Sequence, residues 1–390
     1  MSFLKTINIQ HLTSGTNNIV LDANGNMTCA GTISAATPTG GMRNKIINGD
    51  MRIDQRNAGA SVTPSTGQYT LDRWYAEVGV ASKYSVQQNA GSVTPPPGFS
   101  NYLGVTSTST YSLGSTDNFT LQHRIEGYNT VDLAWGTANA KPITLSFWVR
   151  SSLTGVFGGE IFVSGTTARS YPFTYRINTA NTWEYETITI PGDTFTNTIP
   201  STTAFSLIVL FMLGAGSTTL SSTANAWQTG NFLAPTGCVN VVSTNGATFY
   251  ITGVQVETGS VATAFERRLY GTELALCQRY YYRFNATNSV SIISVGLNTS
   301  TTAARHVLPF PVPMRIAPTA IETSGTATDY RLWHGSGTTT NLSAVPTYDT
   351  ATFYNGHIQS TVASGLTGGA FSMLIGNTGN TGYLGWSAEL

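Results

Sequence analysis

Apolar and polar residues alternate along several short segments of the chain. In PITLSFWVRSS at 142–152, every second residue is apolar, and Trp148 lies among the polar residues of the other face. A period of two residues is typical of a β-strand that is buried on one side. The segments GGEIFVSG, YPFTYRIN, WEYETITIPG, FSLIVLFML and ATFYITGVQVE follow at sandwich-like spacing. The pattern predicts an all-β fold: an antiparallel, jelly-roll-like β-sandwich of two sheets.

One segment has a helical pattern. In GTELALCQRYYYR at 271–283, Thr272 can cap the helix, Glu273 lies in the first turn, and Leu274, Cys277 and Tyr281 share one face. We expect a short helix here that marks a domain junction.

The remaining segments suggest further units. Short apolar runs flank Asn24-Gly25, a dipeptide typical of tight hairpin turns. An isolated hairpin is marginally stable, so this one is expected to attach the chain to another protein or to sister chains. The predicted domains are an N-terminal attachment or oligomerisation hairpin with its linker at 1–42, the sandwich at 43–269, the linking helix at 270–284 and a C-terminal β tip domain at 285–390.

Composition excludes several classes of function. Only 10% of the 390 residues are charged and the net charge is zero, so binding to nucleic acid is disfavoured. No apolar run approaches the roughly 18 residues of a membrane span, and we expect neither membrane insertion nor a signal peptide. Cys29, Cys238 and Cys277 are widely spaced, which favours buried thiols over disulfides or zinc.

Charge concentrates in two neighbouring segments, NKIINGDMRIDQRN at 44–57 and YTLDRWY at 69–75. One interpretation is a structural Ca²⁺ site, because carboxylates and backbone carbonyls are its usual ligands. Its aspartates would be Asp50, Asp54 and Asp72. The favoured interpretation is structural ion pairing, because buried charges need partners. Asp54 or Asp72 would then pair with Arg52, Arg56 or Arg73 and lock the first strand to the LDRW turn.

The same segments carry a family resemblance. NKIINGDMRIDQRNAG followed by YTLDRWY resembles the opening of the jelly-roll, carbohydrate-binding-module-like domain of phage tail fibres. GVQVETGSVATAFERRLYGTELALCQRYY resembles the closing strand of that domain and the helix that leads into the fibre tip. The first segment departs from the usual sequence of that domain at Met51, where an aromatic residue is common, and at Asp54, where a bulky residue often precedes Gln-Arg. The resemblance covers about 40–283 and implies a virion structural protein.

No catalytic motif supports an enzyme. The five histidines are scattered, and the sequence lacks GxSxG, HExxH, P-loop and dinucleotide-binding motifs. We therefore predict a non-enzymatic protein. A polysaccharide depolymerase stays open as an alternative, because tailspikes of some phages cleave surface polysaccharide.

Aromatic residues are the usual platforms for sugar rings. Trp148 is one candidate because it lies on the polar face of its strand, although the tryptophans can also be core residues. The main candidates cluster near the C-terminus among loop-forming residues, where each can also be a core residue. They are Tyr330, Trp333, His334, Tyr348, Tyr354, His357, Tyr383 and Trp386.

These observations predict a tail-fibre, receptor-binding subunit of a phage virion, made in the cytoplasm of the host bacterium. We expect a homo-oligomer, a trimer, attached to tail or baseplate proteins through its N-terminus. Its tip would bind host polysaccharide or lipopolysaccharide, and multivalency would raise the avidity. The alternative is a capsid decoration protein or a tail or neck fitting that binds no receptor.

Overall fold

The computed structural model describes residues 8–9, 19–21, 27–29, 42–288, 291–335, 337–377 and 381–390. The chain falls into two compact units, Met1–Met42 and Arg43–Leu390. The first unit contains an antiparallel sheet in the order β1-β2-β3. Its strands are β1 (Asn8–Ile9), β2 (Ile19–Leu21) and β3 (Met27–Cys29). The two strands predicted for the hairpin do pair, and the Asn24-Gly25 turn between them lies outside the described residues.

The second unit begins with a sandwich of two antiparallel sheets, which confirms the predicted fold class. One sheet has seven strands in the order β15-β11-β10-β13-β8-β5-β4, and the other has five in the order β12-β9-β17-β7-β6. A short parallel pair, β14 and β16, lies beside them. The strands are β4 (Gln68–Leu71), β5 (Trp74–Val78), β6 (Tyr84–Gln88), β7 (Leu103–Ser107), β8 (Asn118–Glu126), β9 (Ile143–Ser151), β10 (Gly155–Val163), β11 (Arg169–Ile177), β12 (Glu184–Ile190), β13 (Phe205–Ala215), β14 (Leu220–Ser221), β15 (Gln228–Thr229), β16 (Ala234–Pro235) and β17 (Thr248–Thr258).

The core of the sandwich lies between the two sheets and is rich in aromatic rings. Phe147 of the five-stranded sheet meets Phe211 of the seven-stranded sheet edge-on, with ring centroids 5.0 Å apart. The alternation predicted for β9 is confirmed, because its apolar set is buried completely. That set is Ile143, Leu145, Phe147 and Val149. Trp148 lies on the opposite face and is partly exposed.

The helix is shorter than predicted. Helix α1 (Tyr270–Gln278) follows Leu269, which has no capping side chain, so the predicted Thr272 cap is wrong. The aromatic run that follows forms a strand instead, in which Tyr282 pairs with Trp386. Aromatic residues favour strands, and a partner strand from the end of the chain is available here. Glu273 lies in the first turn, as predicted.

The C-terminal part, which we call the C-terminal domain, contains two further sheets and its own core within the compact unit Arg43–Leu390. One has the order β18-β27-β21, and the other has seven strands in the order β23-β22-β26-β19-β20-β25-β24. Their strands are β18 (Tyr281–Asn285), β19 (Ile292–Asn298), β20 (Ala303–Pro309), β21 (Glu322–Thr323), β22 (Tyr330–His334), β23 (Thr338–Asn341), β24 (Thr347–Ala351), β25 (Asn355–Thr361), β26 (Phe371–Gly376) and β27 (Tyr383–Ser387). The core includes Tyr330, Leu332, Ile358, Leu374 and Trp386.

Among the described residues, no helix has the length and apolar character needed to cross a membrane. Cys238 and Cys277 are buried free thiols, as the sequence predicted.

Candidate functional site

The arginines of the charged segments bind the far end of the chain. Arg73 is fully buried and its guanidinium binds the carboxylate of Glu389. Arg56 binds the same carboxylate at 3.3 Å and lies 3.7 Å from that of Glu322. Burial alone would lower the pKa of Arg73, but the Glu389 carboxylate raises it above its usual value. The charges therefore join the sandwich to the C-terminal domain.

This arrangement corrects the predicted ion pairs. Among the described residues, Arg52 pairs with Asp50 at 2.5 Å, and Arg56 and Arg73 pair with carboxylates of the C-terminal part. None of the three arginines forms a salt bridge with Asp54 or Asp72. Sequence proximity suggested partners within the segment, but the fold brings the end of the chain to the same place.

The two aspartates instead accept hydrogen bonds from nearby groups. Asp54 accepts from the backbone N–H groups of Asn57 (2.9 Å) and Gly59 (2.7 Å), which closes a turn. Asp72 accepts from the backbone and the side-chain amide of Gln55. Burial raises the pKa of Asp72 to about 7. Within the part of the chain that is described, no group of three or more His, Cys, Asp or Glu side chains is placed to hold a metal ion. A calcium site at Asp50, Asp54 and Asp72 stays a prediction.

Residues 44–57 do not form the predicted first strand, and Asn48, rather than an ion pair, links this segment to the LDRW turn. Its side-chain amide donates to the carbonyls of Ile53 (2.8 Å) and Asp72 (3.0 Å). The indole N–H of Trp74 donates to the Asn48 carbonyl at 3.0 Å. Asn48 has a φ of +59°, a conformation that asparagine tolerates better than most residues.

The next residue, Gly49, packs against an irregularity in β17. The register between β17 and β9 shifts between Thr252 and Gln255, which marks a β-bulge. The backbone N–H of Val254 donates to the Gly49 carbonyl at 2.9 Å, and Asn44 donates to the Val254 carbonyl at 3.1 Å. A Cβ on Gly49 would lie 2.2 Å from that carbonyl oxygen, so only glycine fits. The opening motif therefore holds the bulge in place.

The bulge forms the floor of an aromatic cleft on the outer face of the five-stranded sheet. The cleft has a volume of about 300 Å³. One wall is formed by Trp148 and Tyr185, which are paired across β9 and β12 with ring centroids 5.3 Å apart. The other wall is formed by Phe99 and Phe265, with centroids 5.2 Å apart. The guanidinium of Arg267 lies 4.7 Å from the Phe99 ring centroid.

Two glycines keep this cleft open. Gly253 has a φ of +61°, and a Cβ there would lie 2.6 Å from the Phe99 ring and 3.3 Å from Trp148. Gly98 has a φ of +84°, and a Cβ there would lie 2.9 Å from the Arg267 guanidinium. Both positions favour glycine for its backbone conformation as well as for space. The cleft is therefore a built feature of the sandwich.

The arrangement suits a ligand with flat apolar faces and polar edges. Trp148 is partly exposed, and Tyr185 is 45% exposed. Exposed rings can stack on the C–H face of a sugar. The exposed Arg267 adds hydrogen-bond donors in a planar fork.

Several predicted C-terminal site residues are core residues. Tyr330 and Trp386 are fully buried, and His334 is buried and lies 2.9 Å from the Thr340 hydroxyl. Trp386 packs against Phe310, with centroids 5.6 Å apart. Their assignment to a surface platform is wrong, because a small domain with few large aliphatic residues fills its core with aromatic rings.

The other predicted C-terminal residues are accessible but do not form one cluster. Trp333 is 40% exposed on β22, and Tyr354 is 65% exposed just before β25. Tyr348 donates from its hydroxyl to the Pro318 carbonyl at 3.0 Å. His357 and Tyr383 are partly exposed, on β25 and β27.

Trp333 instead belongs to an apolar sheet face. Along the register of the seven-stranded C-terminal sheet it is followed by Met373, Val295, Val307 and then His357. A second row pairs two further exposed apolar residues, Phe371 and Leu297. We call this set of apolar residues the C-terminal apolar face.

His306 is flanked by two hydroxyl groups but belongs to the core of the C-terminal sheet. His306 is fully buried, and its ring nitrogens lie 3.3 Å from the hydroxyls of Ser360 and Ser372. Burial lowers the pKa of His306 to about 4, so the ring is neutral at physiological pH. These contacts satisfy buried polar atoms within the core.

The sequence indicated only part of the cleft. Trp148 was marked by its place on a polar strand face. Phe99, Phe265 and Arg267 lie in loops and were missed, because loop residues carry no periodic signal. The positive φ angles at Gly98 and Gly253 could not be read from the sequence either.

Comparisons with known proteins give low similarity. No family model matches the chain, and no curated protein matches it. Among solved structures, the enzymatically active domain of tailspike protein 4 of bacteriophage CBA120 has 12% identity and a TM-score of 0.30, and covers 56% of this chain. The present chain spans only 22% of that structure.

Two carbohydrate-binding modules also match. The CBM22-2 xylan-binding domain of Paenibacillus barcinonensis Xyn10C has 11% identity and a TM-score of 0.27, covering 55% of this chain and 98% of that one. The family 11 carbohydrate-binding module of Clostridium thermocellum, in complex with a mixed-linked tetrasaccharide, has 12% identity and a TM-score of 0.24, covering 51% and 100%. Similarities this weak carry no conclusion about the function of the present chain.

Proposed function

We propose that this protein is a non-enzymatic, glycan-binding attachment subunit of a phage tail fibre. The observation that carries the proposal is the aromatic cleft, where Trp148 and Tyr185 face Phe99 and Phe265 beside Arg267. The ligand would be host-surface polysaccharide or lipopolysaccharide, with one sugar ring stacked on Trp148 or Tyr185. The opening and closing sequence motifs resemble those of tail-fibre domains. On this basis we assign the protein to a phage virion.

The proposal includes assembly as well as binding. The fibre would be a homotrimer, attached to tail or baseplate proteins through the N-terminal strands and made in the cytoplasm of the host bacterium. A single cleft of this size would bind weakly, and three copies on one fibre would raise the avidity.

The test is binding of the full-length protein to polysaccharide extracted from the host surface, measured by calorimetry. Trp148→Ala is expected to weaken binding by about tenfold or more, since a stacked ring contributes at least about 1.4 kcal/mol. Trp333→Ala is the matched control, because it removes an exposed tryptophan from the other domain. Loss of binding in the Trp333 variant alone would move the site to the C-terminal domain, and full binding by the Trp148 variant would refute the cleft.

The depolymerase alternative is tested in the same samples. The proposal expects the length distribution of the polysaccharide to stay unchanged after prolonged incubation. Shortening of the chains by wild-type protein would contradict the non-enzymatic assignment.

A second candidate function is purely structural: a capsid decoration protein or a tail or neck fitting. The C-terminal apolar face favours it, because exposed apolar patches commonly mark protein contacts. Phe371 is 51% exposed and Leu297 is 55% exposed, on neighbouring strands. The partner would be a second copy of this chain.

Light scattering tests the self-association. Leu297→Lys places a charge on the apolar face, next to Arg305, and is expected to shift the protein toward monomer. Ser222→Lys, at an exposed position of the sandwich, is the control and should leave the mass unchanged. Assembly onto virions without any polysaccharide binding would favour the structural function.

A further inference from the structure

A second cavity lies where the sandwich meets the C-terminal domain. Its volume is about 430 Å³, within the usual range for small-ligand sites. Gln68 and Tyr69 line it from the sandwich. Arg283, Tyr383 and Ser387 line it from the C-terminal domain. It shares no lining residue with the aromatic cleft.

Arg283 is a cation in this cavity whose direct contacts are all to neutral groups, although the Asp54 carboxylate lies near enough to interact with its charge. Its guanidinium lies 3.5 Å from the ring centroid of Tyr383. It donates to the side-chain oxygen of Asn285 at 2.8 Å and to the carbonyl of Arg56. Among the described residues, no carboxylate lies within salt-bridge distance of it. Ring stacking holds the guanidinium in one orientation, and no salt bridge to a described residue occupies it.

The other charges that line the cavity neutralise one another. Arg56 stacks on Tyr281, at 3.5 Å from the ring centroid, and lies near the carboxylates of Glu322 and Glu389. Glu322 also accepts a hydrogen bond from the Tyr281 hydroxyl at 2.7 Å. Arg283 is therefore the cation in the lining that is available to an anion.

Two neutral polar side chains of the lining are available to a ligand. Gln68 and Ser387 make no side-chain hydrogen bond to any other described residue. An amide offers two donors and an acceptor, and a hydroxyl offers one donor and two acceptors. Such groups are suited to the hydroxyls of a sugar ring.

We propose that the junction cavity binds a sugar residue that carries an anionic group. The Arg283 guanidinium would bind the anion, since a planar fork matches a carboxylate or a phosphate through two parallel hydrogen bonds. Gln68 and Ser387 would bind the ring hydroxyls. The site goes beyond the proposed function, because it adds a second ligand class at a place that also joins the two domains.

The test uses full-length protein and three probes: glucuronate, glucose 6-phosphate and neutral glucose. Saturation-transfer NMR is expected to show binding of an anionic probe in the millimolar range, and binding of glucose at least about tenfold weaker. Preference for glucuronate would assign a carboxylate ligand, and preference for glucose 6-phosphate would assign a phosphate. Equal binding of all three probes, or saturation by none, would overturn the proposal.

Variants connect this binding to the cavity. Arg283→Gln is expected to abolish the preference for the anionic probe, while Arg305→Gln, at an exposed arginine of the same domain, should keep it. Ser387→Trp fills the cavity from an exposed position and tests the site without removing a stacked arginine. Retained binding in both Arg283→Gln and Ser387→Trp would refute the site. Trp148→Ala should leave probe binding unchanged, so failure of the aromatic cleft and failure of this site are distinguishable.

Discussion

The carboxylate of Glu389 binds the guanidinium of Arg73, which lies 316 residues earlier in the chain. Arg73 also lies 3.6 Å from the ring centroid of Tyr280, just after helix α1. The carbonyl of Leu390 accepts hydrogen bonds from Tyr69 and Arg124, each at 2.8 Å. The last residues of the chain are therefore part of the sandwich surface, and the charged opening motif is their binding site.

Glu389→Gln is expected to destabilise the protein by about 3 kcal/mol, because it leaves the buried Arg73 without a carboxylate and Arg56 with only the more distant Glu322. Urea unfolding followed by circular dichroism measures the loss. Asp349→Asn is the control, since it breaks the exposed Arg305–Asp349 pair and should cost less than about 1 kcal/mol. Equal effects of the two substitutions would show that the junction is not stabilised by this pair.

Gly49→Ala is expected to destabilise the sandwich by about 1–3 kcal/mol, the usual cost of overpacking. The added Cβ would lie 2.2 Å from the carbonyl oxygen of Val254, on the bulge. Because the bulge forms the floor of the cleft, polysaccharide binding should weaken too. Thermal unfolding and calorimetry measure the two effects. Wild-type stability in this variant would mean that the bulge does not depend on the opening motif.

Gly253→Ala is expected to lower the affinity for polysaccharide as well as the free energy of unfolding. Its Cβ would lie 2.6 Å from the Phe99 ring, so one wall of the cleft must move. Gly246→Ala is the matched control, because Gly246 has a φ of +75° and open space around its Cβ position. Both variants carry backbone strain, and only the first should change binding. The same loss of binding in both would argue against a specific role of the cleft.

Glu160 should make stability depend on pH. Burial raises the pKa of Glu160 to about 8, although it accepts a hydrogen bond from the Ser170 hydroxyl. Between about pH 4.5 and pH 8 the folded state keeps a proton that the unfolded state releases, so this group lowers stability as the pH rises through that window. The slope is at most about 1.4 kcal/mol per pH unit.

Glu160→Gln removes this titration and is the test. Urea unfolding of both proteins at several pH values should show wild type losing stability relative to the variant from about pH 5 to pH 8. Asp72, whose pKa burial raises to about 7, contributes in the same direction in both proteins and cancels in the comparison. A difference that does not change with pH would contradict a buried, protonated Glu160.

The sequence by itself determined the fold class, because strand alternation is a local pattern that burial of one face enforces. It predicted the buried set of β9 and placed Trp148 on the opposite face, where the cleft lies. It also predicted a helix near the junction, although the helix ends at Gln278 rather than at Arg283. The helix stops there because the residues that follow it form strand β18, which pairs with β27 near the C-terminus.

Only the tertiary structure decided which charges pair and which aromatic residues are exposed. Arg56 and Arg73 bind Glu389 from the other end of the chain, and no local pattern encodes so distant a partner. Trp386 and Trp333 have similar sequence surroundings, yet the first is in the core and the second is exposed. The reason is physical: period-two patterns assign a face within a strand, whereas the packing of one sheet on another decides which face is covered.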